Sequence, residues 1–253
     1  CSGLVGSEMC IRDRVNDMYG NLYLVSTPIG NLEDLTFRAV KILSSVDIIL
    51  AESVERTKKL LSHYDLDAKV ISFNKDNEKR KTKDVITYLL NSKNIALVSD
   101  AGTPSISDPG FYLLSNIDEK VKIIPIPGVS SITCALSVSK IPMNGFTFLG
   151  FLPKKENDRK NKLLKSSSTE LPICLFESKH RILDLFEDIS SIFGEDTMVG
   201  LFREMTKIYE TITHKSVKEH ISDLRTKIPK GEYVVIVAPN RHVELEKPYI
   251  SII

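Results

Sequence analysis

Short apolar runs alternate with amphipathic segments along the first half of the chain. Between the runs, hydrophobic residues recur at helical spacing. Short strands alternating with helices are typical of a mostly parallel sheet with helices on both faces. The pattern therefore predicts an α/β fold, with strands at 21–25, 46–51, 70–73, 95–98 and 121–126. We expect Asp34 or Thr36 to cap the first helix, and a polar loop at 74–83 to precede the third.

The second half has more consecutive strands, which predicts a separate, mixed sheet. Its charged segment at 153–165 is interpreted as a solvated loop that leads into a helix. The strands are expected at 146–152, 172–177, 198–202, 209–213 and 231–238, and the helices at 132–139, 182–193 and 217–224.

These patterns predict two α/β domains between two terminal segments. Residues 1–17 lack a strong period and precede Met18, so we interpret them as a non-native or disordered extension. The predicted parts are the extension at 1–17, an N-terminal α/β domain at 18–130, a C-terminal α/β domain at 131–240 and a tail at 241–253.

Composition narrows the class of protein. The 253 residues are 42% hydrophobic and 26% charged, as in a globular protein, and no apolar run reaches the length of a membrane span. The net charge of +1 gives no general attraction to nucleic acid or membrane, so such contacts would need a local patch. None of the 4 cysteines has C-x-x-C spacing, and Cys134 and Cys174 lie in apolar runs. We therefore expect no metal site and a cytoplasmic protein with buried thiols.

Two loops rich in Gly, Pro, Asp and hydroxyl residues directly follow predicted strands, at 26–34 and 99–110. In open α/β sheets, ligands bind beyond the carboxyl ends of the strands, so two such loops predict a binding crevice. The chain has no P-loop motif, no G-x-G-x-x-G after its first strand and no H-E-x-x-H. The few fixed charges beside the glycines favour a zwitterionic or adenosine-like ligand over a triphosphate.

These loops also carry a resemblance to a known family. Residues 24–34, 99–110 and 125–128 resemble the tetrapyrrole methylases, and more narrowly their small-subunit ribosomal RNA (cytidine-2'-O)-methyltransferase branch. Further segments match in the same order, so that the resemblance runs from about 19 to 238: 56–57, 59–63, 150–153, 176–178, 180–181, 203–204, 206–207 and 230–232. The chain departs from the branch at Ser53, at 73–78 and at Lys179.

The resemblance implies S-adenosylmethionine as methyl donor, bound in a cleft between the two α/β domains rather than on a Rossmann-type sheet. It also implies a homodimer. Carried over by position, the donor-binding residues are Pro28, Ile29, Gly30, Asp100, Ala101, Gly102, Thr103, Ile106, Ser130, Ser131, Phe176 and Glu177.

The implied reaction is the 2'-O-methylation of a ribose in 16S ribosomal RNA. Because a sulfonium is already a good leaving group, alignment supplies much of the acceleration. A carboxylate or lysine near the hydroxyl could remove its proton, although the need for a dedicated base stays open. Candidates for this base are Glu52, Asp100, Asp108, Glu177, Glu204 and Lys207. Candidates for contacts with the RNA phosphates are Arg56, Lys59, Lys154, Lys155, Arg159, Arg181 and Arg203.

Two other functions stay open at this point. One is a methyltransferase that acts on a tetrapyrrole macrocycle, of the precorrin or uroporphyrinogen type. The other is a non-catalytic RNA-binding factor in ribosome assembly that kept the fold. Many strand-end carboxylates serve structure alone, so Asp100 and Asp108 also have a structural interpretation, in which they brace their loop.

Overall fold

The computed structural model describes residues 19–169, 171–226 and 228–239, and the extension and tail expected at the termini lie outside these. The chain divides into two compact units, with the boundary between Val129 and Ser130. No helix in the described residues is long and apolar enough to cross a membrane.

The first unit contains a five-stranded parallel sheet with the strand order β3-β2-β4-β1-β5. Its strands are β1 (Leu22–Val25), β2 (Ile48–Ala51), β3 (Val70–Ser72), β4 (Ile95–Val98) and β5 (Ile123–Ile126). Its helices are α1 (Phe37–Ser45), α2 (Val54–His63), α3 (Glu78–Leu90) and α4 (Phe111–Asn116), with a short 3-10 turn at Leu32–Asp34.

Apolar clusters on both faces of this sheet explain why its strands are apolar without alternation. All four residues of β2 and of β4 are buried. Leu43 and Ile49 belong to one cluster, whereas Leu50 and Phe73 belong to the other. The predicted mostly parallel sheet is confirmed, and all its strands end at one edge.

One local prediction for this unit was wrong, and another is now decided between its two alternatives. The helix α3 begins at Glu78, inside the segment that was expected to be a loop. The asparagines before it form a turn, in which the Asn77 side chain accepts from the Asn74 N–H at 2.9 Å, and the charged residues that follow are good helix formers. Of the two candidate caps for α1, Thr36 is the cap: its hydroxyl accepts from the Ala39 N–H at 3.1 Å.

The second unit contains a mixed sheet with the strand order β6-β7-β10-β8-β9, in which only β6 and β7 are parallel. Its strands are β6 (Thr147–Phe151), β7 (Ile173–Ser178), β8 (Met198–Arg203), β9 (Thr211–Ser216) and β10 (Glu232–Val237). Its helices are α5 (Ser131–Ser137), α6 (Glu156–Ser167), α7 (Ile182–Phe193) and α8 (Val217–Thr226). The mixed sheet is as predicted, although β9 starts two residues later than expected and is longer.

The charged segment at 153–165 is more ordered than its composition indicated. Most of it forms α6, and Arg159 on this helix is buried, with its guanidinium paired to the carboxylate of Asp188 on α7. Because a buried guanidinium cannot reach a phosphate at the surface, the prediction that Arg159 binds RNA is wrong.

Candidate active site

The two polar loops of the first unit are joined by hydrogen bonds at the strand ends. Thr27 and Gly102 exchange two backbone hydrogen bonds of 2.9 Å each. The hydroxyl groups of Ser26 and Thr103 lie 3.0 Å apart, and the Thr27 hydroxyl donates to the Ser99 carbonyl at 3.1 Å. The loops expected to form a crevice therefore share one edge of the sheet.

The loop at 99–110 has an unusual backbone. Gly102, Ser105, Ser107 and Gly110 all have positive φ angles, of 80°, 69°, 67° and 137°. For serine this conformation is unfavourable, and such strain persists only where the surroundings impose it. The conformation of the loop is therefore prescribed by its contacts.

Alanine at Gly110 is expected to destabilise this loop. A Cβ there would lie 2.2 Å from the Ser105 Oγ and 2.9 Å from the Leu97 Cδ2, at a φ that L-residues rarely adopt. We expect G110A to lower the free energy of unfolding by about 2 kcal/mol, as measured by urea denaturation. The control is alanine at Gly145, where the added Cβ meets only the Leu171 side chain, at 3.6 Å. Equal stability of the two variants would contradict the prediction.

The far end of the same loop is held by Glu78, the first residue of α3. One carboxylate oxygen of Glu78 accepts from the N–H groups of Gly110, Tyr112 and Leu113, at 2.9, 3.0 and 3.4 Å. The carboxylate thus satisfies the free N–H groups at the start of α4. Sequence reasoning missed Glu78, because its partners lie more than thirty residues away and no local capping motif marks it.

Three of the candidate bases form an acidic group at the ends of β2 and β4. Burial raises the pKa of Glu52 above its ordinary value, and the negative charge of Asp100 adds to this. Burial, together with the charge of Glu52, raises the pKa of Asp108 to about 6. Lys75 opposes both shifts, and its ammonium donates to the Ser107 carbonyl at 3.0 Å. A half-buried carboxyl with a pKa near 6 is suited to accept a proton at neutral pH.

Asp100 has a different role from its two neighbours. One of its carboxylate oxygens accepts from the Ser53 N–H at 2.9 Å, and the other lies 3.3 Å from the guanidinium of Arg56. Asp100 therefore fixes the start of α2 against the loop after β4. With both oxygens engaged, it is better suited to position its neighbours than to take up a proton.

A pocket of about 190 Å³ opens at these strand ends within the first unit. It combines apolar walls, two cations and one carboxylate, and its lining residues are Thr27, Pro28, Leu32, Arg56, Thr57, Lys59, Leu60, Ser99 and Asp100. A donor that combines an adenine ring with a zwitterionic amino acid needs this mixture, so the residues fit S-adenosylmethionine. Thr57 and Leu60 had not been expected to line the pocket.

Of the other predicted donor residues of this unit, Gly102 and Thr103 lie in the joined loops, and Ile29 is buried. Gly30, Ala101 and Ile106 are exposed at the surface. The remaining four belong to the second unit, where Ser130 and Ser131 begin α5 and Phe176 and Glu177 lie near the end of β7.

Glu177 and Arg181 form an ion pair with structural contacts. The carboxylate of Glu177 lies 2.9 Å from the Arg181 guanidinium and also accepts from the Ser178 N–H at 2.7 Å. Arg181 donates in addition to the carbonyls of Leu152 and Pro153, at 3.1 and 3.3 Å. The pair therefore ties the segment after β6 to the start of α7. The second carboxylate oxygen of Glu177 is buried and has no hydrogen-bond partner among the described residues. The Arg181 guanidinium is engaged by backbone carbonyls and is not a free phosphate ligand.

Glu204 and Lys207 form a second such pair. The Lys207 ammonium lies 2.9 Å from the Glu204 carboxylate and 3.0 Å from that of Glu232. Although burial acts to lower it, the pKa of Lys207 is raised by these hydrogen bonds, so the amine stays protonated and is not a base. Burial acts to raise the pKa of Glu204, but hydrogen bonds from Lys207 and the Glu232 N–H outweigh this effect. The pKa of Glu204 is therefore lowered from its ordinary value. Arg203 donates to the Lys230 carbonyl at 2.7 Å.

Among the described residues, no three His, Cys, Asp or Glu side chains are placed to hold a metal ion. The strand-end loops, the raised pKa values of Glu52 and Asp108 and the mixed pocket form a candidate site for a small organic donor and a proton acceptor.

The chain is an α/β protein of two units with a candidate donor pocket at the strand ends of the first, and comparison with known proteins identifies its family. Residues 21–220 match the family model of the tetrapyrrole (corrin/porphyrin) methylases. The chain therefore belongs to the tetrapyrrole methylase family.

Similar proteins support this assignment. The chain is 42% identical to "Ribosomal RNA small subunit methyltransferase I" of Halalkalibacterium halodurans, over 88% of this chain and 78% of that protein. It is 43% identical to the protein of the same name from Thermotoga maritima, over 87% of this chain and 98% of that protein. A solved uroporphyrin-III C-methyl transferase from Thermus thermophilus, in complex with S-adenosyl homocysteine, has the same fold, with a TM-score of 0.61, 14% identity and coverage of 86% and 97%.

These findings confirm the family and the two-sheet α/β fold expected from the sequence. They also confirm S-adenosylmethionine as the methyl donor of this methyltransferase.

Proposed function

We propose that this enzyme methylates the 2'-hydroxyl of a cytidine ribose in the 16S RNA of the small ribosomal subunit. The observation that carries this proposal is the identity of about 40% to proteins named ribosomal RNA small subunit methyltransferase I, over most of both chains. The motifs at 28–34 and 99–104 have the form found in that branch, which favours RNA over a tetrapyrrole.

Asp108 is the proposed base. It is the candidate whose pKa lies near 6. Within the described residues it forms no salt bridge, unlike Asp100, Glu177 and Glu204. At neutral pH its carboxylate is mostly ionised, and it accepts the proton of the 2'-hydroxyl as the oxygen forms its bond to carbon. Glu52 keeps the pKa of Asp108 raised by its own negative charge.

S-adenosylmethionine supplies the methyl group, and its sulfonium sulfur leaves as a neutral thioether. The protein contributes alignment, through the joined loops at Thr27 and Gly102, and a proton acceptor at Asp108. Glu78 and Lys75 hold the segment that carries Asp108, through Gly110 and Ser107 respectively.

Exposed cations are the proposed contacts for RNA phosphates. Lys59, Lys154 and Lys155 are exposed on helices or turns, and Arg56 is exposed beside the pocket. Arg159 is excluded by its burial, and the guanidinium groups of Arg181 and Arg203 are engaged by backbone carbonyls.

In keeping with the branch, we propose a cytoplasmic homodimer that acts on the small subunit or its RNA.

Deletion of the gene tests this function. We expect mass-spectrometric mapping of the 16S RNA to show the loss of one ribose methyl on a cytidine, which the intact gene restores and the D108N variant does not. Unchanged ribosomal RNA would contradict the proposal and favour a tetrapyrrole substrate. A chain that binds no S-adenosylmethionine in calorimetry would instead favour a non-catalytic RNA-binding factor.

A further inference from the structure

The edge strand β6 ends in an exposed aromatic ring, and exposed lysines follow it in sequence. Phe151, the last residue of β6, is 52% exposed although it is a large apolar side chain. Phe176 on the neighbouring strand supports the ring from one side, with centroids 5.6 Å apart, and Phe176 in turn packs against Phe148 at 5.1 Å. The ring is thus held in place while about half of its surface faces solvent.

Three exposed lysines lie at the same end of the sheet as this ring. Lys154 and Lys155 follow Phe151 in sequence, are exposed and form no ion pair within the described residues. Lys179 lies in the turn that follows β7, and because β6 and β7 are parallel, this turn is at the same end of the sheet as Phe151. The nearby carboxylate of Glu156 is already neutralised by Lys160 at 2.6 Å.

Two arginines hold the backbone of the turn that follows Phe151 and carries Lys154. Arg181 binds the carbonyls of Leu152 and Pro153, and Arg159 donates to the Lys154 carbonyl at 3.4 Å. Both arginines are themselves anchored by carboxylates, those of Glu177 and Asp188. The turn is therefore pre-organised, which reduces the ordering cost of binding.

We propose that Phe151 is a stacking platform for an unpaired base of single-stranded RNA, with Lys154 and Lys155 binding the adjacent phosphates. This inference rests on the proposed function and adds a contact site for the RNA strand to it. An exposed ring offers its face to any base, and neighbouring ammonium groups track the backbone, so the contact selects unpaired strands rather than a sequence. Positive charge beside the ring favours RNA over an apolar protein partner.

Fluorescence anisotropy with a labelled single-stranded RNA of about twelve nucleotides tests the stacking. We expect F151L to weaken binding about tenfold and F151Y to bind like the wild type, because tyrosine keeps the ring. The same RNA annealed to its complement should bind both variants equally, since its bases are already stacked. Thermal melting of each variant checks that the fold is kept.

F146L is the matched control, because Phe146 is 40% exposed just before the opposite end of β6 and has no lysine or arginine within three residues in sequence. We expect this control to bind the single strand normally. The stacking site would be overturned if F151L and F146L lost single-strand affinity equally. It would also be overturned if F151L lost as much affinity for the duplex as for the single strand.

The lysines make a separate quantitative test. Replacing both Lys154 and Lys155 with glutamine should make the plot of log binding constant against log salt concentration less steep. For single-stranded RNA each lost phosphate contact reduces the magnitude of this slope by about 0.7, so the expected reduction is about 1.4. An unchanged slope would overturn their role.

A chain that binds RNA through Phe151 yet leaves ribosomal RNA unmethylated would overturn the proposed function alone, whereas full methylation and RNA binding by F151L would overturn only the stacking site.

Discussion

Replacing Asp108 with asparagine is expected to slow methyl transfer by about 10²–10⁴-fold, the usual contribution of a positioned general base. Asparagine keeps the size and polarity of the side chain but cannot take up the proton of the ribose hydroxyl. The measurement is a single-turnover rate with saturating S-adenosylmethionine and purified small subunits or their RNA. Binding of S-adenosylmethionine, measured by calorimetry, is expected to change little.

The control for this variant is D84N, which makes the same chemical change on the exposed side of α3. It should leave the rate unchanged. If D108N were also unimpaired, the carboxylate would be a loop brace, and alignment alone would account for catalysis.

The pH dependence of the rate gives a second readout of the same site. Because the base works in its deprotonated form, kcat/KM should rise as the pH increases through about 6 and level off above it. Replacing Glu52 with glutamine removes a negative charge that raises the pKa of Asp108, so the rising limb should move to lower pH. A limb that stays in place in E52Q would show that another group titrates.

The apolar pattern was sufficient to predict the strands that carry this site. Ile95–Val98 is apolar throughout because both faces of β4 are covered, and the Gly- and Pro-rich segment after it could only be a turn. Two such loops after two parallel strands must share an edge, which is why Thr27 and Gly102 meet as expected. The carboxylates at the strand ends could be listed from the sequence for the same reason.

The different roles of these carboxylates could not be predicted from the sequence, because each role depends on contacts between distant segments. Asp100 is engaged by Ser53 and Arg56, forty or more residues earlier, whereas Asp108 is left with a raised pKa. Glu78 likewise acts on N–H groups more than thirty residues later. No local periodicity records such pairs.

The largest effect on stability is expected from the buried ion pair between α6 and α7, where the sequence suggested a solvated surface. The side chains of Arg159 and Asp188 are only 5% and 4% exposed. Asparagine at Asp188 would leave the guanidinium buried without a counter-charge, and we expect D188N to lower the free energy of unfolding by about 3–5 kcal/mol. Urea denaturation followed by circular dichroism measures the loss.

The adjacent residue on α7 provides the control. Glu187 also pairs with an arginine, Arg225 at 2.8 Å, but these two side chains are 47% and 63% exposed. Because water screens such a pair, E187Q should cost less than about 1 kcal/mol. Similar losses in D188N and E187Q would show that burial does not strengthen the first pair.

The two partners of the buried pair should also differ from each other. Asp188 has a second cation, Lys160 at 3.5 Å, whereas the described contacts of the Arg159 guanidinium include no other carboxylate. Methionine at Arg159 therefore leaves Asp188 partly compensated, and R159M should destabilise the protein less than D188N does. The double variant R159M/D188L, which removes both charges and keeps apolar volume, should be more stable than D188N alone. If the double variant were no more stable than D188N, the unpaired guanidinium would not be the cause of the loss in D188N.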